Sequence, residues 1–112
     1  MVRPFIRKSL RYKKRYVLVK FYCEKNIDVD SVIDAFLCVF HEFCGELLSA
    51  LSRVKVVEKG SNFFVLKCRH SYVDLIRASC LFLERVGDSR ILLVPVYVGG
   101  SIKKVRERIK FI

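Results

Sequence analysis

Residues 53–69 read RVKVVEKGSNFFVLKCR, and the fold turns on them. Two β-prone runs, Arg53–Glu58 and Phe63–Arg69, flank Lys59-Gly60-Ser61-Asn62, a turn in which Gly60 is free to take positive φ. The pattern predicts a hairpin. In its second strand Phe64, Leu66 and Cys68 share one face, while Phe63, Val65, Lys67 and Arg69 share the other. One face is therefore apolar and the other mixes apolar groups with cations.

Working outward, Asn26-Ile27-Asp28-Val29-Asp30 offers oxygen-bearing caps to a helix of about 20 residues. Val32, Ile33, Phe36, Leu37, Phe40, Phe43, Leu47, Leu48 and Leu51 recur at steps of three and four, a stripe wide enough to lie on a sheet. Gly45 interrupts it, which predicts a bend or a split. Earlier, RYVLVKFYC (Arg15–Cys23) alternates as a strand: Val17, Val19, Phe21 and Cys23 face one way, Tyr16, Leu18, Lys20 and Tyr22 the other. The second set suits base stacking and phosphate contact on an open sheet, although tyrosines also suit any half-buried strand.

Downstream, Ser71–Asp74 has the spacing of a capping box, and a helix carrying Val73, Ile76, Cys80 and Leu83 follows it and stops near Gly87. Arg90–Val98 reads as a strand, apolar on both faces apart from Tyr97. Beyond Gly99-Gly100-Ser101, an apolar stripe of Ile102, Val105, Ile109 and Ile112 predicts a basic amphipathic helix over 101–112, with Ser101 as its cap. The order predicts an α/β (α+β) fold, a ferredoxin-like or RRM-like βαββαβ sandwich with a four-stranded antiparallel sheet and both long helices on one face. Because Arg90–Val98 is apolar on both sides, something must cover the other sheet face: the terminal helix, the N-terminal arm or a protein partner.

The chain has 112 residues, 53% of them hydrophobic, enough for one folded domain over 15–112 preceded by a basic arm over 1–14. It has no long uncharged apolar run, so neither a spanning helix nor a membrane partner is expected. Five scattered cysteines without paired spacing suggest buried thiols rather than a disulfide framework. The net charge of +11 sits at the ends: residues 1–15 hold seven cations and no acid, and residues 101–112 hold five cations against Glu107, while the stretch between is neutral. Such concentration favours a polyanion as partner.

Catalytic constellations are weak. Cys38, His41 and Cys44 lie three apart on a helix and diverge around it, with no fourth ligand near in sequence. His41 beside Glu42 lacks a placed nucleophile, and Cys68, at a strand end with Arg69 and His70, belongs to the inferred core face. Glu42 and Glu46 share a helix face without the second pair that a two-metal nuclease needs. Gly99-Gly100-Ser101 is too short for a nucleotide-binding loop, leaving a turn and cap or a direct phosphate contact. No catalytic residue, metal ligand or cofactor is assigned.

Four stretches carry a resemblance. RYVLVK (Arg15–Lys20), Gly45-Glu46-Leu47, VLKCRHSYVDLIRA (Val65–Ala78) and VGGSIKK (Val98–Lys104) together resemble the small ribonuclease P/MRP protein subunit family of archaea and eukaryotes, with Ser101 where the family's closing signature commonly has Thr. The resemblance implies a noncatalytic subunit that supports the catalytic RNA in removing the 5′ leader from precursor tRNA, with magnesium belonging to that RNA. It also implies a TIM-barrel-like ribonuclease P protein subunit as partner. Self-association in an archaeal heterotetramer, or pairing with a small paralogue in eukaryotes, and sharing with the MRP complex, go with it. Localisation would be cytoplasmic in an archaeon and nuclear or nucleolar in a eukaryote. Arg11, Lys13, Lys14, Arg15, Lys67, Arg69, Lys103, Lys104, Arg106 and Arg108 are the RNA-contact candidates, and Phe63, Val65, Leu92, Val94 and Val96 the protein-interface candidates. A free-standing RRM-like RNA-binding protein, a structural interaction domain and a nuclease are the alternatives. The first lacks a glycine-rich aromatic motif on its central strand.

Overall fold

The structure is a computed structural model describing residues 13–111; most of the expected N-terminal arm, including Arg11, lies outside the described residues. Strand β1 (Lys14–Cys23) is central because it is apolar on both sides: Val17, Val19 and Phe21 are buried on one face, Tyr16 and Leu18 on the other. It pairs antiparallel with β3 (Phe63–Arg69) and with β5 (Ser89–Gly99). Outside β3 lies β2 (Lys55–Lys59), and outside β5 lies β4 (Arg85–Val86), giving the order β2-β3-β1-β5-β4. Helix α1 (Val29–Ser52) follows β1 and α2 (Val73–Phe82) follows β3, so the architecture is α+β and broadly ferredoxin-like or RRM-like. The expected four strands become five. Gly87 takes φ 59° at the first position of a two-residue loop, the geometry of a tight hairpin turn, and folds Arg85–Val86 back onto Ser89–Arg90. Two residues are too few to show an alternation in sequence.

The larger core lies between the sheet and the two long helices. Phe36 is its centre, with ring centroids 6.1 Å from Phe40 and 5.9 Å from Phe64. Burying a side chain of that size contributes about 1.5–3 kcal/mol. Gly45 (φ 81°, ψ 171°) splits α1, as its place in the stripe predicts. The stripe, however, is not buried throughout. Val32, Ile33, Phe36 and Phe40 are buried, whereas Leu47, Leu48 and Leu51 beyond the break are exposed. At the other end of α1, Lys59 Nζ donates to Asp30 at 2.5 Å and ties the helix start to the end of β2; that contact raises the Lys59 pKa.

Several local devices differ from expectation. Gly60 is not in the left-handed region; the Phe63 ring occupies the space where its Cβ would stand, and its amide donates to the Phe63 carbonyl at 2.9 Å. A single 3-10 turn over His70–Tyr72 leads into α2, so Ser71 does not cap it. Neither Asp28 nor Ser101 makes a side-chain capping bond, although both occupy the cap position.

The apolar character of both faces of β5 has a geometric cause. Leu18 pairs with Tyr97 and Val19 with Pro95, so Val96 is an extra residue in a bulge. The bulge shifts the alternation: Ile91, Leu93, Pro95 and Val98 sit opposite the core-facing residues of β1, while Leu92, Val94 and Tyr97 sit opposite the others. Helix α3 (Ile102–Ile109) lies across this second face. Its Val105 is fully buried with Tyr16, Leu18 and Val65, and Phe63, Tyr97, Ile102 and Ile109 pack around them.

Candidate nucleic-acid interface

The strand register gathers cations at one end of the sheet. Lys14 stands directly opposite Arg69, and Tyr16 opposite Lys67, which in turn faces Lys55 across the β2–β3 pair. Alternation puts all four cations on the face that carries α3. Like charges placed directly opposite one another destabilise a sheet, so an arrangement of this kind gains from a polyanion. The register also brings in Lys55, which sequence reasoning missed; it opens β2, two residues inside the start of the predicted strand, and only the hairpin register sets it against Lys67.

The end of β5 adds to this cluster. Gly99 pairs with Tyr16, so α3 departs beside Lys14 and carries exposed Lys103 and Lys104 on its first turn. Arg15 donates from Nη1 to the Lys14 carbonyl at 2.9 Å and reaches Gly100, where a Cβ would meet Nη1 at 3.3 Å. The missing Cβ thus leaves room for a guanidinium against the chain just before α3. Lys13 also lies here, its carbonyl accepting the His70 amide at 2.7 Å.

The remaining two cations of α3 are already engaged. Arg106 Nε donates to Glu58 Oε1 at 2.5 Å, pinning α3 to β2, and the Arg108 guanidinium lies 5.0 Å from the centroid of the Tyr97 ring. They hold the helix down while Lys103 and Lys104 project from it.

The five apolar interface candidates divide. Val65 is fully buried and Phe63 half-buried under α3, so the chain's own helix takes the place expected for a partner and leaves Val65 no surface to offer one. Leu92 and Val96 are exposed and Val94 is half-buried, forming a strip beyond the reach of α3.

The histidine, cysteine and carboxylate candidates do not gather into a metal site among the described residues: no group of three or more His, Cys, Asp and Glu is placed to hold a metal ion. Burial pushes the Cys68 thiol up to about 11 and the Cys80 thiol up to about 12, which keeps both protonated and poorly nucleophilic near neutrality. Among these residues, too, no helix is long and apolar enough to cross a membrane.

Comparison with known proteins bears on the family and the fold. The chain is similar to ribonuclease P protein component 2 of Methanosarcina mazei, 24% identical over 100 residues that cover 89% of this chain and 86% of that protein. The Sulfurisphaera tokodaii protein of the same name is 26% identical over 96 residues, covering 86% and 78% respectively. In structure, a chain from the cryo-EM structure of yeast ribonuclease MRP shares the fold with a TM-score of 0.63 at 12% identity, over 89% of this chain and 93% of that one. Residues 15–110 match the Rpp14/Pop5 family, from the start of β1 to the end of α3, and the chain belongs to that family of ribonuclease P protein subunits.

Proposed function

We infer that this chain is a noncatalytic protein subunit of ribonuclease P, supporting the catalytic RNA as it removes the 5′ leader from precursor tRNA. The family match across 15–110 is the observation that carries this reading. The cation cluster supplies a physical means: Lys14, Arg15, Lys55, Lys67, Arg69, Lys103 and Lys104 converge at the sheet end where α3 begins, and bind RNA phosphates there. Contacts of this kind position a protein on RNA without reading its sequence. Magnesium belongs with the RNA, and the bond-breaking chemistry with it. A TIM-barrel-like protein subunit is the expected neighbour, with a second copy or a small paralogue completing the protein assembly; sharing with the MRP complex extends the same role.

A free-standing RRM-like reader is disfavoured by α3, which buries Tyr16 and Leu18 in the middle of the sheet face that such a protein uses for bases. The test is purification from the native source, sequencing of the bound RNA, and a precursor-tRNA processing assay with and without the subunit. The expected result is ribonuclease P RNA in the purified material and weaker processing without the protein. Absence of that RNA together with unchanged processing refutes the reading.

A further inference from the structure

The sheet face that α3 covers is not covered to its end. Tyr16 and Tyr22 share that face of β1, yet Tyr16 is 7% exposed beneath α3 and Tyr22 is 51% exposed beyond it. Leu92, paired with Tyr22, is 56% exposed, and Lys20 lies over the Tyr22 ring with Nζ 5.0 Å from its centroid. Two residues before Leu92 stands Arg90, on the same face by alternation and directly opposite Arg85 in the β4–β5 hairpin. Both arginines are exposed, and no side-chain partner holds either among the described residues. Two unpaired guanidiniums set against each other on a hairpin, beside an open aromatic ring, match the needs of a phosphate and a base.

We propose that Tyr22, Lys20, Arg85 and Arg90 form a second RNA contact that takes an unpaired nucleotide, its base stacked on Tyr22 and its phosphate held by the arginine pair. The proposal rests on the RNA-subunit reading and extends it to the opposite end of the sheet. Lys20 covers the ring in the free protein; an exposed cation–π contact is weak, so a base displaces the ammonium, which then meets a phosphate. Leu92 and Val94 supply an apolar floor beside the ring. Glu24 sits at the rim, where Oε1 accepts the Arg90 amide at 3.3 Å, and limits the site on that side. Lys20, Arg85 and Arg90 gathered around one exposed ring favour a polyanion over a protein partner here. Along β1 the eight steps from Lys14 to Tyr22 span about 27 Å, so an RNA that touches both ends must pass α3.

The experiment uses the full chain and a labelled uridine oligomer of about 12 nucleotides, within the site size of such platforms, against a duplex RNA of equal length. Tyr22→Ala should weaken oligomer binding about tenfold and leave duplex binding unchanged, while Tyr22→Phe binds like the parent. Replacing both Arg85 and Arg90 with Ala removes the hold on one single-strand phosphate and should lower the salt slope for the oligomer by about 0.7 units. Thermal midpoints of the variants, and the unchanged duplex binding, separate a lost contact from a lost fold. If the parent chain binds neither RNA, the subunit reading fails and this site with it. If the parent binds and Tyr22→Ala binds the oligomer equally well, only the second contact is overturned. It is overturned likewise if the variants keep RNA affinity but lose a co-purifying protein subunit, which would make this strip a protein interface.

Discussion

Replacing Lys103 and Lys104 together with Ala removes two charges that project from α3 without anchoring it. If each neutralises one duplex phosphate, the slope of log K against log salt should become shallower by about 1.8 units. Extrapolated from a 1 M reference, that slope corresponds to about 60-fold weaker binding at 0.1 M salt. Stability should stay within about 0.5 kcal/mol of the parent, since both side chains are exposed. Arg106→Ala should behave in the opposite manner: its ion pair with Glu58 joins side chains that are 62% and 26% exposed, so its loss costs up to about 1 kcal/mol of stability and changes the slope little. Glu58→Gln should release Arg106 and steepen the slope by up to about 0.9 units. Fluorescence titration over a salt series, with urea unfolding of each variant, measures both quantities. Equal slopes for the parent and the double variant would refute the assignment of Lys103 and Lys104 as phosphate contacts.

Other consequences can be checked in the isolated chain. Val105→Ala removes two methyl groups from the fully buried contact of α3 with the sheet and should cost about 2 kcal/mol in urea unfolding. Gly60→Ala should destabilise although its φ is ordinary, because the new Cβ meets the Phe63 ring; adding Phe63→Ala should recover part of that loss in a double-mutant cycle. Stability should also decline above about pH 9. In the unfolded chain Cys68 and Cys80 ionise near their ordinary value of 9.0, whereas in the folded chain they hold their protons to about 11 and about 12. Their raised pKa values thus stabilise the fold fully below pH 9, and that contribution is lost as pH climbs through the folded values. Cys68→Ala with Cys80→Ala should flatten the decline, measured as unfolding free energy against pH.

Much of the fold was readable because it rests on local periodicity. The alternation of Arg15–Cys23, the hairpin of residues 53–69 and the glycine break at Gly45 all follow from neighbours in sequence. The features that escaped depend on distant contacts or on very short segments. Strand β4 is two residues long, and the bulge at Val96 becomes visible only once β5 is set against β1. Tyr16 and Tyr22 look equivalent in the sequence; the placement of α3 alone makes one a core residue and leaves the other open. The same holds for Arg106, whose partner Glu58 is 48 positions away, and for Lys55, whose neighbour Lys67 depends on hairpin register. Sequence therefore names the cations, whereas packing separates those that fasten α3 from those that project.

The two irregular strands have a further effect at the margins of the sheet. On β2, the register slips between Val56 and Glu58; on β5, Pro95 and the Val96 bulge stand past the point where the short β4 stops. Both rims thus interrupt the regular ladder of amide donors and carbonyl acceptors, and Pro95 contributes no donor at all. A second sheet cannot dock against either rim in continuous register, so strand-by-strand polymerisation is discouraged. In a chain of net charge +11, which a polyanion can gather, such interrupted rims act against fibrous aggregation.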